Sequence, residues 1–183
     1  MTMVRQSYGG VAVALHWLVV LLLVLAYPLA LWMGDLPKGA EKAQVLVWHQ
    51  SVGFLVLGVT VLRLGWRRLY GAPAHDMTTP IGKLAVLVQI TLYVLTLAVP
   101  VLGWMTLSAG GHPVTFLNIL SLPDVMTKNH DLHEQLGDIH QFLAYSMLGF
   151  IALHIAGALK HHFVMRDEVL QRMAPWVPSR KNR

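Results

Sequence analysis

The amino-acid sequence predicts an all-α fold, an integral membrane four-helix bundle. The chain of 183 residues is 55% hydrophobic and only 13% charged, and its mean hydropathy is +0.54. A charged share about half that of an average soluble domain favours lipid as the surrounding solvent. The apolar residues also gather in four blocks, each close to the ~20 residues that cross a bilayer. We therefore expect one transmembrane domain, residues 1–183.

The four apolar blocks are predicted as membrane-spanning helices over residues 11–33, 45–62, 84–107 and 139–159. The first block is too long for the apolar core of a signal peptide, and no small-residue cleavage pattern follows it, so we interpret it as a retained helix. Pro28 and Pro100 fall inside spans, where neighbouring helices tolerate the lost hydrogen bond, and both are predicted to be kinks.

The distribution of lysine and arginine predicts the orientation. The terminal segments and the link between the second and third spans contain 11 of the 14 such residues: Arg5, Arg63, Arg67, Arg68, Lys83, Lys160, Arg166, Arg172, Arg180, Lys181 and Arg183. The other link and the long loop contain only Lys38, Lys42 and Lys128. Because cytoplasmic segments carry the excess of Lys and Arg, both termini are predicted to be cytoplasmic. The net charge of +5 then reflects topology, and no nucleic-acid partner is expected.

Four histidines lie within the predicted spans, where ionisable side chains are costly and usually functional. Counting 1.5 Å per residue, His16 and His154 both lie about 7 Å inside the cytoplasmic boundary. His49 lies about 6 Å inside the opposite boundary, and His140 stands at that boundary. Each histidine alone could simply bond a main-chain carbonyl, but two pairs at matched depths favour two ligand sites.

The fourth span contributes one histidine to each pair. His140 and His154 are 14 residues apart, which is about 21 Å along a helix and a rotation of only about −40°. Two imidazoles alone leave zinc under-coordinated, whereas a haem supplies four nitrogens and accepts two axial histidines. The absence of cysteine excludes thiolate-held iron–sulfur clusters and c-type haem attachment. The pattern predicts two b-type haems, an inner one held by His16 and His154 and an outer one held by His49 and His140, that transfer electrons rather than activate oxygen.

Small and basic residues near these histidines are further candidates for haem contact. Gly53 and Gly157 follow proposed ligands by four and three residues, although small residues also favour close helix packing. Arg63 follows His49 by 14 residues and so shares its helix face. It is a candidate partner for the propionates of the inner haem, and the alternative is an arginine that extends to the membrane interface.

The remaining histidines are predicted not to be ligands. His133 and His161 are each seven residues from a proposed ligand and on nearly the same helix face, but both fall outside the apolar runs. His161 belongs with His162 to an interfacial basic cluster. The others are expected to be solvated loop residues: His75, His112 and His130.

Four segments carry a family resemblance: "ALHWLVVLLLVLAY", "WHQSVGFLVLGVTVLRLGWR", "AVPVLGWM" and "IHQFLAYSMLGFIALHIAGALKHHF". They resemble the four helices of the bacterial cytochrome b561 family over nearly the whole chain. The strongest element is the last segment, with two histidines 14 residues apart followed by "ALKHHF". The resemblance implies the same two ligand pairs and a multi-pass location in the bacterial inner membrane. The loop from 108 to 138 matches the family poorly.

The resemblance also implies a function, because such cytochromes work between quinone and a one-electron partner. For some members it implies superoxide as the electron donor and ubiquinone as the acceptor, so this chain is expected to meet both, together with membrane lipid. The outer segments contain six acidic residues against three lysines, so an anionic donor would need local attraction from Lys38, Lys42 or Lys128. Gln89 and Trp48 are candidate quinone contacts, with packing or interfacial anchoring as the alternative.

Two other functions fit the same pattern. One is a cytochrome b anchor subunit that relays electrons between a peripheral dehydrogenase or hydrogenase and quinone, and it requires a docking partner. The other is a haem-free transporter in which histidines form a proton or ion path. A visible spectrum of the purified protein distinguishes the transporter from either cytochrome.

Overall fold

A computed structural model describes residues 7–73 and 77–179, in which four long helices dominate. They are α1 (Gly10–Asp35), α2 (Ala40–Tyr70), α3 (Pro80–Gly110) and α4 (His130–Lys160). Each is long and apolar enough to cross a membrane, since even the 26 residues of α1 extend about 39 Å against a hydrocarbon core of about 30 Å. The predicted four-helix membrane architecture is confirmed. His75 and the cations at positions 5, 180, 181 and 183 lie outside the described residues.

α4 begins nine residues before the predicted boundary at 139. Its start is set by Asn129, whose side chain accepts a hydrogen bond of 3.0 Å from the Leu132 amide, as an N-cap residue does. The first turns are mostly polar, so they extend the helix beyond its apolar part. His130 and His133 therefore lie on α4, and the expectation that His130 is a loop residue was wrong.

The helices pack in sequence order, α1 on α2, α2 on α3 and α3 on α4. Within the described part of the chain, the backbone of α4 contacts α3 closely but neither α1 nor α2. Helices in direct contact have axes only about 8–10 Å apart, so a gap remains along α4. Tyr27 of α1 crosses it, and its hydroxyl donates a hydrogen bond of 2.7 Å to the Ala144 carbonyl. Large apolar side chains are exposed on all four helices, as lipid-facing surfaces require.

The long loop contains a short β-hairpin that the sequence reasoning did not predict. Strands β1 (Thr115–Phe116) and β2 (Leu120–Ser121) pair antiparallel. The side chain of Gln50 donates to Thr115 Oγ1 at 3.2 Å, and Ser51 Oγ accepts from the Leu117 amide at 2.8 Å. Both α2 side chains are buried. The hairpin is thereby fixed against α2 directly beside His49.

We call the end of the bundle that carries this hairpin and the short α1–α2 link the loop end, and the opposite end the terminal end. At the terminal end, α4 continues into a π-helical turn, His161–Met165. His161 Nδ1 lies 2.6 Å from the carboxylate of Asp167, and His162 is buried with its ring nitrogen 3.3 Å from the Gln171 amide. The two histidines that were predicted to belong to an interfacial basic cluster therefore both have polar partners in the segment that follows α4.

Candidate functional site

The four span histidines meet in two pairs across the gap beside α4. The ring centroids of His16 on α1 and His154 on α4 are 6.2 Å apart, with the ring planes at 69°. Those of His49 on α2 and His140 on α4 are 6.3 Å apart, at 87°. These are the pairs that the depth count predicted, the first near the terminal end and the second near the loop end.

The spacing within each pair fits one metal ion between two imidazoles. A metal–nitrogen bond of about 2.0 Å and about 1.1 Å from that nitrogen to the ring centre place the two centroids about 6.2 Å apart when the ion lies on a straight line between them. The observed distances of 6.2 and 6.3 Å match this trans arrangement. Among residues 7–73 and 77–179, no group of three or more His, Asp or Glu side chains is placed to hold a metal. The donor sets therefore suit an ion whose other ligands come with the cofactor, as in haem.

Main-chain carbonyls orient both histidines of the loop-end pair. His49 Nδ1 lies 3.1 Å from the Ala26 carbonyl, and His140 Nδ1 lies 2.9 Å from the Val99 carbonyl. A carbonyl oxygen only accepts, so each Nδ1 carries the proton and each Nε2 keeps its lone pair for a ligand, which is the usual arrangement of metal-binding histidines. By contrast, His16 Nδ1 is buried without a hydrogen-bond partner among the described residues.

Both accepting carbonyls lie beside the helix-interior prolines. Ala26 is two residues before Pro28 in α1, and Val99 is immediately before Pro100 in α3. A proline removes one backbone hydrogen bond and disturbs the helical ladder around it. The carbonyls that lose their helical donor are those of Val24 and Thr96, four residues before each proline, so the accepting carbonyls are near neighbours of the freed groups and not the freed groups themselves.

A cavity of 410 Å³ surrounds the loop-end pair, within the range of about 300–1,000 Å³ that is common for cofactor sites. Its walls are mainly apolar, with a few polar groups at the loop end. The polar lining comprises Lys42, His49, Gln50, His112, His133 and His140 among others. Lys42 Nζ donates to the Leu36 carbonyl at 3.1 Å, so one of the three loop-end lysines is fixed at the cavity.

The glycines near the histidine pairs differ in how much space lies beside their Cα atoms. A Cβ added at Gly53, Gly149 or Gly157 would meet no atom within 4 Å, and Gly53 lines the cavity. At Gly103, however, a Cβ would lie 3.2 Å from His140 Cε1. The sequence reasoning missed Gly103, and its only signal was its place three residues after Pro100 in the segment "AVPVLGWM".

Two arginines lie near the terminal-end pair. The Arg63 guanidinium is 5.0 Å and that of Arg67 is 5.8 Å from the ring centroid of Tyr93. Arg63 is also within electrostatic range of His16 and His154. Neither arginine has a carboxylate partner in the part of the chain that the structure describes. Arg63 therefore lies near the terminal-end pair, where a partly buried cation is available to an anionic group.

The other histidines have separate environments. His112 and His133 face each other with ring centroids 5.6 Å apart, and both line the loop-end cavity. His112 is an exposed loop residue, as predicted. His130 is exposed and lies 3.4 Å from Glu134. His140, and not His133, is the α4 histidine opposite His49.

The two candidate quinone contacts lie in different places. Trp48 is 41% exposed and its ring centroid is 6.1 Å from that of Trp32, which suits an aromatic anchor at the membrane interface. Gln89 is partly buried in the half of α3 nearer the terminal end.

A four-helix membrane bundle with two facing histidine pairs defines the class of small membrane cytochromes. The chain belongs to the prokaryotic cytochrome b561 family, whose model matches residues 7–176, and membership implies that it binds haem b.

The chain is 30% identical over 173 residues to cytochrome b561 homolog 2 of Escherichia coli (strain K12), covering 92% of this chain and 91% of that protein. It is 28% identical over 173 residues to the probable superoxide oxidase CybB of Yersinia pestis (93% and 97%). It is also 32% identical over 174 residues to cytochrome b562 of Cereibacter sphaeroides (92% and 96%).

Proposed function

We propose that the protein carries single electrons across the bacterial inner membrane from superoxide to ubiquinone, with two haem b groups. The assignment places one between His49 and His140 and the other between His16 and His154. The observation that carries this proposal is the spacing of the two pairs, 6.3 and 6.2 Å between ring centroids, which fits two imidazole ligands on one metal ion.

Bound haem would supply one-electron redox chemistry at each pair. The two histidines of each pair would hold one such group, and the chemistry would be electron transfer rather than oxygen activation. The Ala26 and Val99 carbonyls hold the loop-end imidazoles in the tautomer that presents Nε2. The mainly apolar cavity walls exclude water from the bundle interior.

Several side chains have supporting roles in this proposal. Arg63 would bind propionates at the terminal end, where a carboxylate and a guanidinium form strong charge-assisted hydrogen bonds. Gly53 and Gly157 leave open space that a macrocycle could occupy. At the loop end, Lys42 would attract the superoxide anion locally, which offsets the excess of acidic residues in the loop-end segments.

The proposed direction of electron flow rests on the orientation of the bundle in the membrane and on the similar proteins. The excess of arginine and lysine at the terminal end favours a cytoplasmic position for that end, so the loop end would face outward, where superoxide would donate. A relative that is 28% identical is named as a probable superoxide oxidase, which supports this donor. Ubiquinone would accept the electron within the membrane.

The first experiment measures haem content. We expect two haems per chain in a pyridine haemochrome assay of the fully loaded protein. His140→Ala should remove one haem or make it high-spin, and His133→Ala, the matched control on the same helix face seven residues away, should keep two low-spin haems. One haem per wild-type chain, or equal losses in both variants, would refute the two-pair assignment.

The second experiment tests the donor by stopped-flow mixing of the oxidised protein with superoxide. We expect faster haem reduction than in an unrelated bis-histidine cytochrome, and a rate that falls with salt because exposed charges are screened. Lys42→Gln should slow the reaction, whereas Lys38→Gln, which removes the same charge outside the cavity, should slow it less. Reduction no faster than in the reference cytochrome would favour a relay between quinol and a docked partner.

A further inference from the structure

His112 and His133 form a third histidine pair, which neither proposed haem uses. His112 follows Gly111, the residue that ends α3, and His133 stands on the first turn of α4. Their ring centroids are 5.6 Å apart and the ring planes meet at 59°. Both side chains line the loop-end cavity, and His112 also belongs to the exposed surface.

The backbone is built to bring these two rings together. A Cβ on Gly110 would lie 2.7 Å from His112 Cδ2 and 2.8 Å from His133 Nδ1, so only glycine leaves room for both imidazoles. A hydrogen bond of 2.9 Å from the Asn129 amide to the Ala109 carbonyl also ties the start of α4 to the end of α3. The two imidazoles are therefore held together by the end of α3 and the start of α4.

The ring of His133 is oriented as the proposed haem ligands are. Its Nδ1 lies 2.8 Å from the Thr106 carbonyl. Since a carbonyl only accepts, Nδ1 carries the proton, and Nε2 keeps a lone pair when the ring is neutral. A histidine whose Nδ1 donates to a carbonyl in this way is the common form of a metal ligand.

The distance between the rings separates this pair from the haem pairs. With about 2.0 Å from metal to nitrogen and about 1.1 Å from nitrogen to ring centre, a centroid distance of 5.6 Å corresponds to an angle of about 130° at a shared ion. The distances of 6.2 and 6.3 Å at the other pairs correspond to a straight arrangement. A bent pair does not suit the trans positions of a haem, but it suits a small ion whose other ligands are water.

We propose that His112 and His133 bind a borderline divalent cation, represented by Zn²⁺, at the mouth of the loop-end cavity. Imidazole nitrogen is a preferred ligand of such ions. Because the described residues provide no third His, Asp or Glu ligand, water completes the coordination and the ion exchanges readily. The proposal stands independently of the haem assignment and of superoxide as donor.

The test is a calorimetric titration of the haem-loaded full chain with Zn²⁺, together with Cu²⁺ electron paramagnetic resonance to count nitrogen ligands. The wild type should bind one ion, with two imidazole nitrogens on Cu²⁺. His112→Ala and His133→Ala should each weaken binding at least tenfold. His130→Ala, which removes an exposed histidine on the same helix, should leave binding unchanged, and the haem spectrum verifies that each variant is folded.

Gly110→Ala provides a second and independent variant, because it keeps both imidazoles but forces them apart. It should weaken Zn²⁺ binding while both histidines remain present. Unchanged affinity in His112→Ala or His133→Ala, or an equal loss in His130→Ala, would overturn the proposal. The readout is ion binding rather than electron transfer, so failure of the superoxide reaction would leave this result intact.

Discussion

Gly103→Ala tests whether the loop-end pair depends on close approach of α3. The added Cβ would lie 3.2 Å from Cε1 and 3.4 Å from Nδ1 of His140, so the imidazole must shift by a few tenths of an ångström. That shift disturbs the hydrogen bond of 2.9 Å from Nδ1 to the Val99 carbonyl. Loss of such an orienting partner typically costs about 10–100-fold in metal affinity. We expect haem binding at this pair to weaken by about that factor.

The assay is haem content and low-spin resonance signals after dilution of the purified variant. Gly65→Ala is the matched control, because it lies in a helix at an exposed position where a Cβ would meet nothing within 4 Å. Both changes gain about 1 kcal/mol of helix propensity, so a difference between them reports the contact with His140. Equal haem retention in the two variants would refute the steric argument.

Three further predictions concern stability. Tyr27→Phe removes the hydroxyl that donates to the Ala144 carbonyl and should lower the free energy of unfolding by about 1 kcal/mol, measured by denaturant titration with haem content unchanged. Ser51→Ala leaves the Leu117 amide without its acceptor and should make the hairpin more susceptible to limited proteolysis. Burial raises the pKa of Tyr8 above 10, although Arg67 opposes the shift. The stability that the neutral phenol contributes is therefore present below pH 10 and lost as pH rises through the folded-state pKa, a loss that Tyr8→Phe should abolish.

Counting residues from the span boundaries gave the two histidine pairs that the structure brings together. The count works because a helix has a fixed rise per residue and the bilayer provides a common reference for all four spans. Hydropathy located the spans because the apolar part of each helix must match the thickness of the same bilayer. It missed the true start of α4 because the first nine residues of that helix, 130–138, are mostly polar and precede its apolar part. The Asn129 cap was the available signal there, since asparagine is among the preferred N-cap residues.

Features that depend on contacts between distant segments could not be predicted. The hairpin is fixed by Gln50 and Ser51, whose partners are 65 and 66 residues away. Gly103 matters only because α3 and α4 bring it to His140, which no local pattern encodes. The pairing of His112 with His133 likewise needs the early start of α4.

The two proposed haem pairs differ in the partners of their histidines, and this difference predicts a direction for electron flow. His49 and His140 donate Nδ1–H to carbonyls, which makes each Nε2 more basic and stabilises the oxidised metal. At the other pair, His16 Nδ1 has no partner among the described residues, and Arg63 places a positive charge nearby. Both effects favour the reduced metal at the terminal end.

Haem held at the terminal end should therefore have the higher midpoint potential, so that a single electron moves energetically downhill from the loop end. A spectroelectrochemical titration should resolve two one-electron steps. Arg63→Gln should lower only the higher potential, by on the order of 60 mV, which is a tenfold change in a one-electron equilibrium. Arg68→Gln removes the same charge from an exposed position on α2 and should shift it less because water screens the charge. If Arg63→Gln lowers the other potential instead, the terminal-end pair is the low-potential site and the predicted direction is reversed.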